Sequence, residues 1–258
     1  MRDAGALAYV IRVALEPGTP DKVLDRCLVF LGQYVHFTDD AGTGWALAAG
    51  LMGFVHQLLG RVGSGVPALM PHRDLLFTLA WVLCNLVNAD LPAAVAAVLD
   101  APPVMAFIMA ASRPLYYTDD DDDSAWCRMG TKKYALQILT DMLRTQQGRA
   151  MFIPCGALTN LVQNLSTEVW DEDRDIIRDF CDQMQLVLHT DQALALAILQ
   201  RPEVVAVLNR IIKDAGPVAS MAAQDLIDCT RDVLQEEDDG DIDDEDEDAA
   251  ADEKDDEL

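Results

Sequence analysis

Gly148-Arg149-Ala150-Met151-Phe152-Ile153-Pro154-Cys155-Gly156-Ala157-Leu158-Thr159-Asn160-Leu161-Val162-Gln163-Asn164-Leu165 is the stretch on which the reading of this chain turns. It reads as a short helix that ends at a glycine, followed at once by a second helix that begins Ala-Leu. Gly156 lacks the Cβ that resists a left-handed backbone, so it permits a sharp turn between helices. The small Ala157 lets the two backbones approach.

Outward from this stretch, helical periodicity is nearly continuous and strand-like alternation is hard to find, which predicts an all-α chain. One long helix is expected from Pro20 to Val35, where Val23, Leu24, Cys27, Leu28, Leu31 and Val35 recur at three- and four-residue spacing. Others are expected at His72–Val87, Thr131–Thr145, Asp173–His189 and Pro217–Gln235. Their starts stand 52, 59, 42 and 44 residues apart, close to the forty-odd period of armadillo and HEAT solenoids. Two insertions, at Gly60–Pro71 and Leu115–Ser124, account for the longer intervals. The expected organisation is one helical domain over residues 1–235, with an acidic loop insertion at 115–124, and a disordered acidic tail over 236–258.

The quoted stretch resembles the first and second helices of an armadillo repeat. Leu79-Ala80-Trp81-Val82-Leu83-Cys84-Asn85-Leu86 resembles the third helix, and Ala4-Gly5-Ala6-Leu7 resembles the Gly junction, as if the chain opened part-way through a repeat. The resemblance implies a right-handed α-solenoid of about five degenerate armadillo-like or HEAT-like repeats. It also implies a peptide-binding concave face built from third helices. Importin-alpha-like members of the family place there a Trp and, four residues on, an Asn, so that both share one helical face. The matching positions here are Val29 and Gln33, Trp81 and Asn85, Gln137 and Asp141, Asp182 and Leu186, and Asp225 and Cys229. One repeat keeps the pair, and one pair does not make the ladder that reads an extended import signal. The candidate partner-binding residues are therefore Trp81, Asn85, Gln137, Asp141, Asp182 and Asp225. Asp141, Asp182 and Asp225 are expected at the rim of the buried stripe, where a groove of one sign would attract a basic partner.

Charge supports that expectation. The 258 residues carry 44 acidic and 19 basic side chains, a net −25, and 16 of the acids follow Gln235. Residues 1–234 still stand at −10. Such a body lacks the basic footprint through which nucleic acids are bound. The tail has the composition of the polyanions found in histone and ribosomal-protein chaperones. The six cysteines are at least 26 residues apart, too far for a zinc knuckle or a redox pair, and suit a reducing compartment. His36, His56, His72 and His189 show no metal-ligand spacing, and no nucleophile elbow or phosphate-cradling loop is visible. Ala93–Ala111, the longest apolar stretch, holds Asp100 and Pro102-Pro103 and does not read as a membrane span. Arg12 and Glu16 interrupt the N-terminal apolar run, which does not read as a secretory signal.

The expectation is a non-enzymatic scaffold or adaptor without cofactor or metal, binding a protein with a basic segment, and not nucleic acid, membrane or a small-molecule substrate. Its expected location is the cytoplasm, with the nucleus open if a partner carries it there. The alternatives are an armadillo-type nucleotide-exchange co-chaperone of a seventy-kilodalton heat-shock protein and a fixed subunit of a large assembly.

Overall fold

The computed structural model describes residues 2–38, 40–62, 73–89, 91–114, 122–166 and 170–240, and every regular element among them is helical. A leading pair, α1 (Arg2–Leu15) and α2 (Asp21–Phe37), is followed by four triplets. These are α3 (Asp40–Ala48), α4 (Leu51–Val62) and α5 (Arg73–Asn88), then α6 (Pro92–Leu99), α7 (Pro102–Ala111) and α8 (Asp122–Asp141). After a short 3-10 turn at Met142–Arg144 come α9 (Gln146–Phe152), α10 (Ala157–Leu165) and α11 (Trp170–Thr190), and finally α12 (Gln192–Leu199), α13 (Pro202–Asp214) and α14 (Pro217–Gly240).

The third helices α2, α5, α8, α11 and α14 pack each on the next, and a single apolar core runs the length of the array. They open at intervals of 52, 49, 48 and 47 residues, more regular than the sequence suggested. The difference lies mostly in α8, which begins at Asp122 instead of Thr131. Acidic residues suit a first turn because the helix dipole is positive there, so the end of the acidic run enters the helix. Residues 115–121 of the expected loop lie outside the described residues, as do 63–72 of the other insertion. At the C-terminal end α14 continues to Gly240, five residues past the expected boundary of the tail, and 241–258 lie outside the described residues.

First and second helices meet in two ways. Gly50 before α4 and Gly156 before α10 turn the chain with φ of 98° and 85°. The α6–α7 and α12–α13 junctions instead place an extended residue, Ala101 or Arg201, before a Pro at the helix start, where its fixed φ is already helical. Gly5 does not make such a junction. It lies inside α1 with an ordinary backbone, so the expected turn at Ala4–Leu7 is absent and one helix runs through. The α6–α7 pair covers the long apolar stretch, is bent by 81°, and buries its Val, Phe and Ile side chains in the core. Among the described residues no single helix is long and apolar enough to cross a membrane.

Polar staples hold successive repeats in register. Asn160 donates to the Met109 carbonyl at 3.0 Å and the Ser112 hydroxyl at 2.7 Å, and Asn164 donates to the Ser112 carbonyl at 2.6 Å. Both amides thus serve the C-terminal turn of α7, whose last carbonyls have no partner within their own helix. Arg210 of α13 likewise reaches the Ser166 carbonyl beyond α10 at 2.6 Å, and Arg61 of α4 reaches the Thr19 carbonyl beyond α1 at 2.8 Å.

Gly156 separates strain from space. A Cβ there would meet nothing nearer than the Met109 methyl at 3.6 Å, so any loss on substitution comes from the left-handed backbone. Gly156→Val should lower stability by roughly 1 to 3 kcal/mol in denaturant titration, and Gly156→Asn by distinctly less, because Asn tolerates this conformation.

Candidate binding surface on the third-helix ladder

The six candidate residues lie on four adjacent third helices, but the structure treats them differently. Trp81 of α5 packs back on α2: a Cβ at Gly32 would fall 2.5 Å from a ring carbon of Trp81, and the His36 ring lies 6.4 Å away, centroid to centroid. Asn85, one turn on, donates to the Gly32 carbonyl at 3.3 Å. The Trp81-Asn85 pair is therefore engaged between two of the protein's own helices. Beside it the Thr78 hydroxyl bonds Asp25 of α2 at 2.8 Å. On the other flank of α5, Phe77 occupies the space that a Cβ at Gly130 of α8 would need, and its ring is 5.6 Å from Tyr134.

Asp141 departs most from expectation. The spacing of α8 put it at the rim of the apolar stripe, yet it is 3% exposed. The rim of one helix is a surface only when nothing lies beside that helix, and α8 is flanked by α5 and α11. Burial pushes the carboxyl from its ordinary 3.8 up to about 6, and neighbouring Asp179 of α11 pushes the same way. Gln137, its Nε2 3.4 and 3.5 Å from the two carboxylate oxygens, and Arg144 pull it back down. The buried Cys84 thiol of α5 is raised by burial first and then by the charge of Asp141.

Asp182 and Asp225 are exposed on adjacent α11 and α14. The Cys181 thiol of α11 is pushed up to about 12 by burial first and then by the charges of Asp182 and Asp225. Apolar side chains stand one turn away from each acid: Leu186, 44% exposed, follows Asp182, and Met221, 63% exposed, precedes Asp225. The sequence analysis named Leu186 only as the position matching the family's Asn and did not single out Met221, although both were legible as apolar residues on a charged helical face. Asp228, farther along α14, is already held by Arg231 at 2.9 Å, and Lys133 of α8 meets Asp175 of α11 at 3.6 Å. A cleft of about 440 Å³ between α1, α2 and α4 lies away from this surface. Arg61 at its edge bonds Thr19 and Asp21. Among the described residues no group of three His, Cys, Asp or Glu side chains is arranged to hold a metal ion.

Two measurements follow from these contacts. Gly32→Ala should gain about 1 kcal/mol in helix propensity but meet the Trp81 ring, an overpacking cost of about 1 to 3 kcal/mol. The net should be destabilising, and adding Trp81→Leu should restore part of the loss, a coupling that a double-mutant cycle reads directly.

Asp141 makes stability depend on pH in the opposite sense to an ion-paired carboxylate. Its folded pKa lies above the unfolded one, so the folded state holds the proton more tightly and stability falls as pH rises from about 4 to about 6. Above that window the penalty is complete. Asp141→Asn should therefore raise the melting midpoint at pH 7.5, by a gain of roughly 1 to 3 kcal/mol, and leave it unchanged near pH 4.

No family model matches the chain, and no curated protein matches it. Solved structures do. An engineered protein superposes with a TM-score of 0.54 at 12% identity, covering 88% of this chain and 97% of its own. A designed armadillo repeat protein in complex with the peptide (KR)4 superposes with a TM-score of 0.51 at 12% identity, covering 87% of this chain and 99% of its own. Likeness at that identity speaks for the fold, and the fold is an armadillo-like helical repeat array.

Proposed function

We propose that the chain is a non-enzymatic protein-binding scaffold whose third-helix ladder takes a basic segment of a partner across α11 and α14. The observation that carries this reading is the pair Asp182 and Asp225, exposed on two third helices that pack on each other, each with an exposed apolar neighbour one turn away. Lys and Arg have an aliphatic stem and a charged head, and a surface that alternates Leu186 and Met221 with carboxylates can take both parts. The reading is supported by the designed armadillo repeat protein of similar fold, which is in complex with (KR)4. Trp81 and Asn85 enter it as supports of the ladder, since both face Gly32. Gln137 and Asp141 enter it in the same way, facing each other at the α8 C-terminus.

Labelled (KR)4 at two salt concentrations, followed by fluorescence anisotropy, tests the proposal. Exposed charge pairs are each worth about 0.2 to 1 kcal/mol, so Asp182→Asn with Asp225→Asn should weaken binding by roughly two- to thirtyfold and flatten its salt dependence. Asp141→Asn should leave the affinity as it is. If the double variant binds as tightly as the parent while removal of Glu236–Leu258 abolishes binding, the tail is the polyanion and the groove reading fails.

A further inference from the structure

The two ends of a helical stack need a polar outer face, because each third helix has a flank built to receive a neighbour. At α2 no third helix covers that flank among the described residues. Displacing α2 by 52 residues lays its buried positions, from Leu24 to Val35, on buried positions of α5. Four further positions of α5, Leu75, Thr78, Val82 and Leu86, are also buried. Two of them demonstrably face the preceding third helix: Thr78 bonds Asp25, and Val82 lies 3.0 Å from where a Gly32 Cβ would sit. Their counterparts on α2 are Val23, Arg26, Phe30 and Tyr34, and no third helix precedes α2 among the described residues. Val23 and Phe30 are 39% and 40% exposed, and Phe37, a further seven residues along the same face, is 78% exposed.

Three features of this face select its occupant. Val23, Phe30 and Phe37 recur every seven residues, the repeat of one helix packed on another, with a drift of only about 20° per seven residues. The pattern is also its own mirror about Phe30. In an antiparallel pair Val23 meets Phe37, Phe30 meets its twin, and Arg26 lies opposite Tyr34 of the partner subunit, a cation–π pairing. The third feature is charge. The chain carries −25, but residues 2–38 hold four basic and four acidic side chains, so two copies repel least at this end.

We infer that this flank of α2 binds a second copy of this chain, α2 against antiparallel α2, with the two-fold axis passing between the Phe30 rings. The interface is isologous and closes as a dimer. It places the two arrays end to end, with the α11–α14 surfaces at the far ends. It uses no residue of the proposed basic-peptide surface, so either reading can fail without the other.

Light scattering on a sizing column tests the inference with the full chain. The parent should run at twice the chain mass. Phe30→Glu should halve that mass with an unchanged far-ultraviolet circular dichroism spectrum, while Val205→Glu, an equally exposed apolar site on α13, should stay dimeric. Register is read by cross-linking: Phe30→Cys should give a covalent dimer on mild oxidation, and a mixture of Val23→Cys and Phe37→Cys chains should link to each other far more than either links to itself. A monomeric parent overturns the inference and leaves the flank to a helix of another kind. So does a Phe30→Glu chain that remains dimeric.

Discussion

Two aromatic rings laid over two glycines set the register of this array. Trp81 and Phe77 are one turn apart on α5 and reach in opposite directions, Trp81 onto Gly32 of α2 and Phe77 onto Gly130 of α8. Each ring occupies the volume that any larger residue would fill, so the contact exists at one offset of neighbouring helices and at no other. A mid-helix glycine costs about 1 kcal/mol relative to alanine. Two such losses are offset only because the close approach brings α2, α5 and α8 together over most of their length. The Asn85 bond to the Gly32 carbonyl is a consequence of the same approach, since the carbonyl comes within reach only where no side chain stands in between.

Close packing of third helices has a second consequence at Asp141. Covering both flanks of α8 takes that carboxylate out of water, with Asp179 adding repulsion and with Gln137 and Arg144 offering partial compensation. A buried carboxyl held up near 6 works against stability at neutral pH, where an apolar or amide side chain would do better. The ladder therefore contains one element that tightens with acid, while the exposed Asp182 and Asp225 at its other end are screened by water and salt. The same residue type is thus a core liability on α8 and a surface attraction on α11 and α14, and the neighbouring helices decide which.

How far the sequence could be read follows from which forces are local. Apolar spacing and caps act within one helix, so the starts of α2, α5 and α14 were legible to within a residue: Pro20, His72 and Pro217 against Asp21, Arg73 and Pro217. The start of α8 was not, because a run of aspartates reads as a loop on charge yet is tolerated at a helix N-terminus. The left-handed turn at Gly156 was legible because its glycine stands between two helical patterns. Gly32 and Gly130 did carry a signal, an interior glycine that wants a packing reason, but the ring that supplies the reason lies about fifty residues away in sequence. Asn160 and Asn164, four apart on an apolar helix, carried a similar signal, and their partners at Ser112 are likewise in another repeat. Asp141 failed for the same cause, since periodicity ranks positions around one helix and knows nothing of what flanks it.

The array is also electrically polar along its length, and that polarity bears on what each end can do. Four acids balance four bases in residues 2–38, whereas 16 acids against one lysine follow Gln235. An end without net charge and with exposed Phe30 and Phe37 can bring apolar surface against apolar surface. An end that carries the excess negative charge cannot approach its own kind and instead raises the local concentration of cations and basic segments. Head-to-tail repetition of one three-helix unit already leaves a different flank free at each end. The gradient of charge along the chain widens that difference, so that the apolar flank of α2 and the carboxylates of α11 and α14 select different partners from the same scaffold.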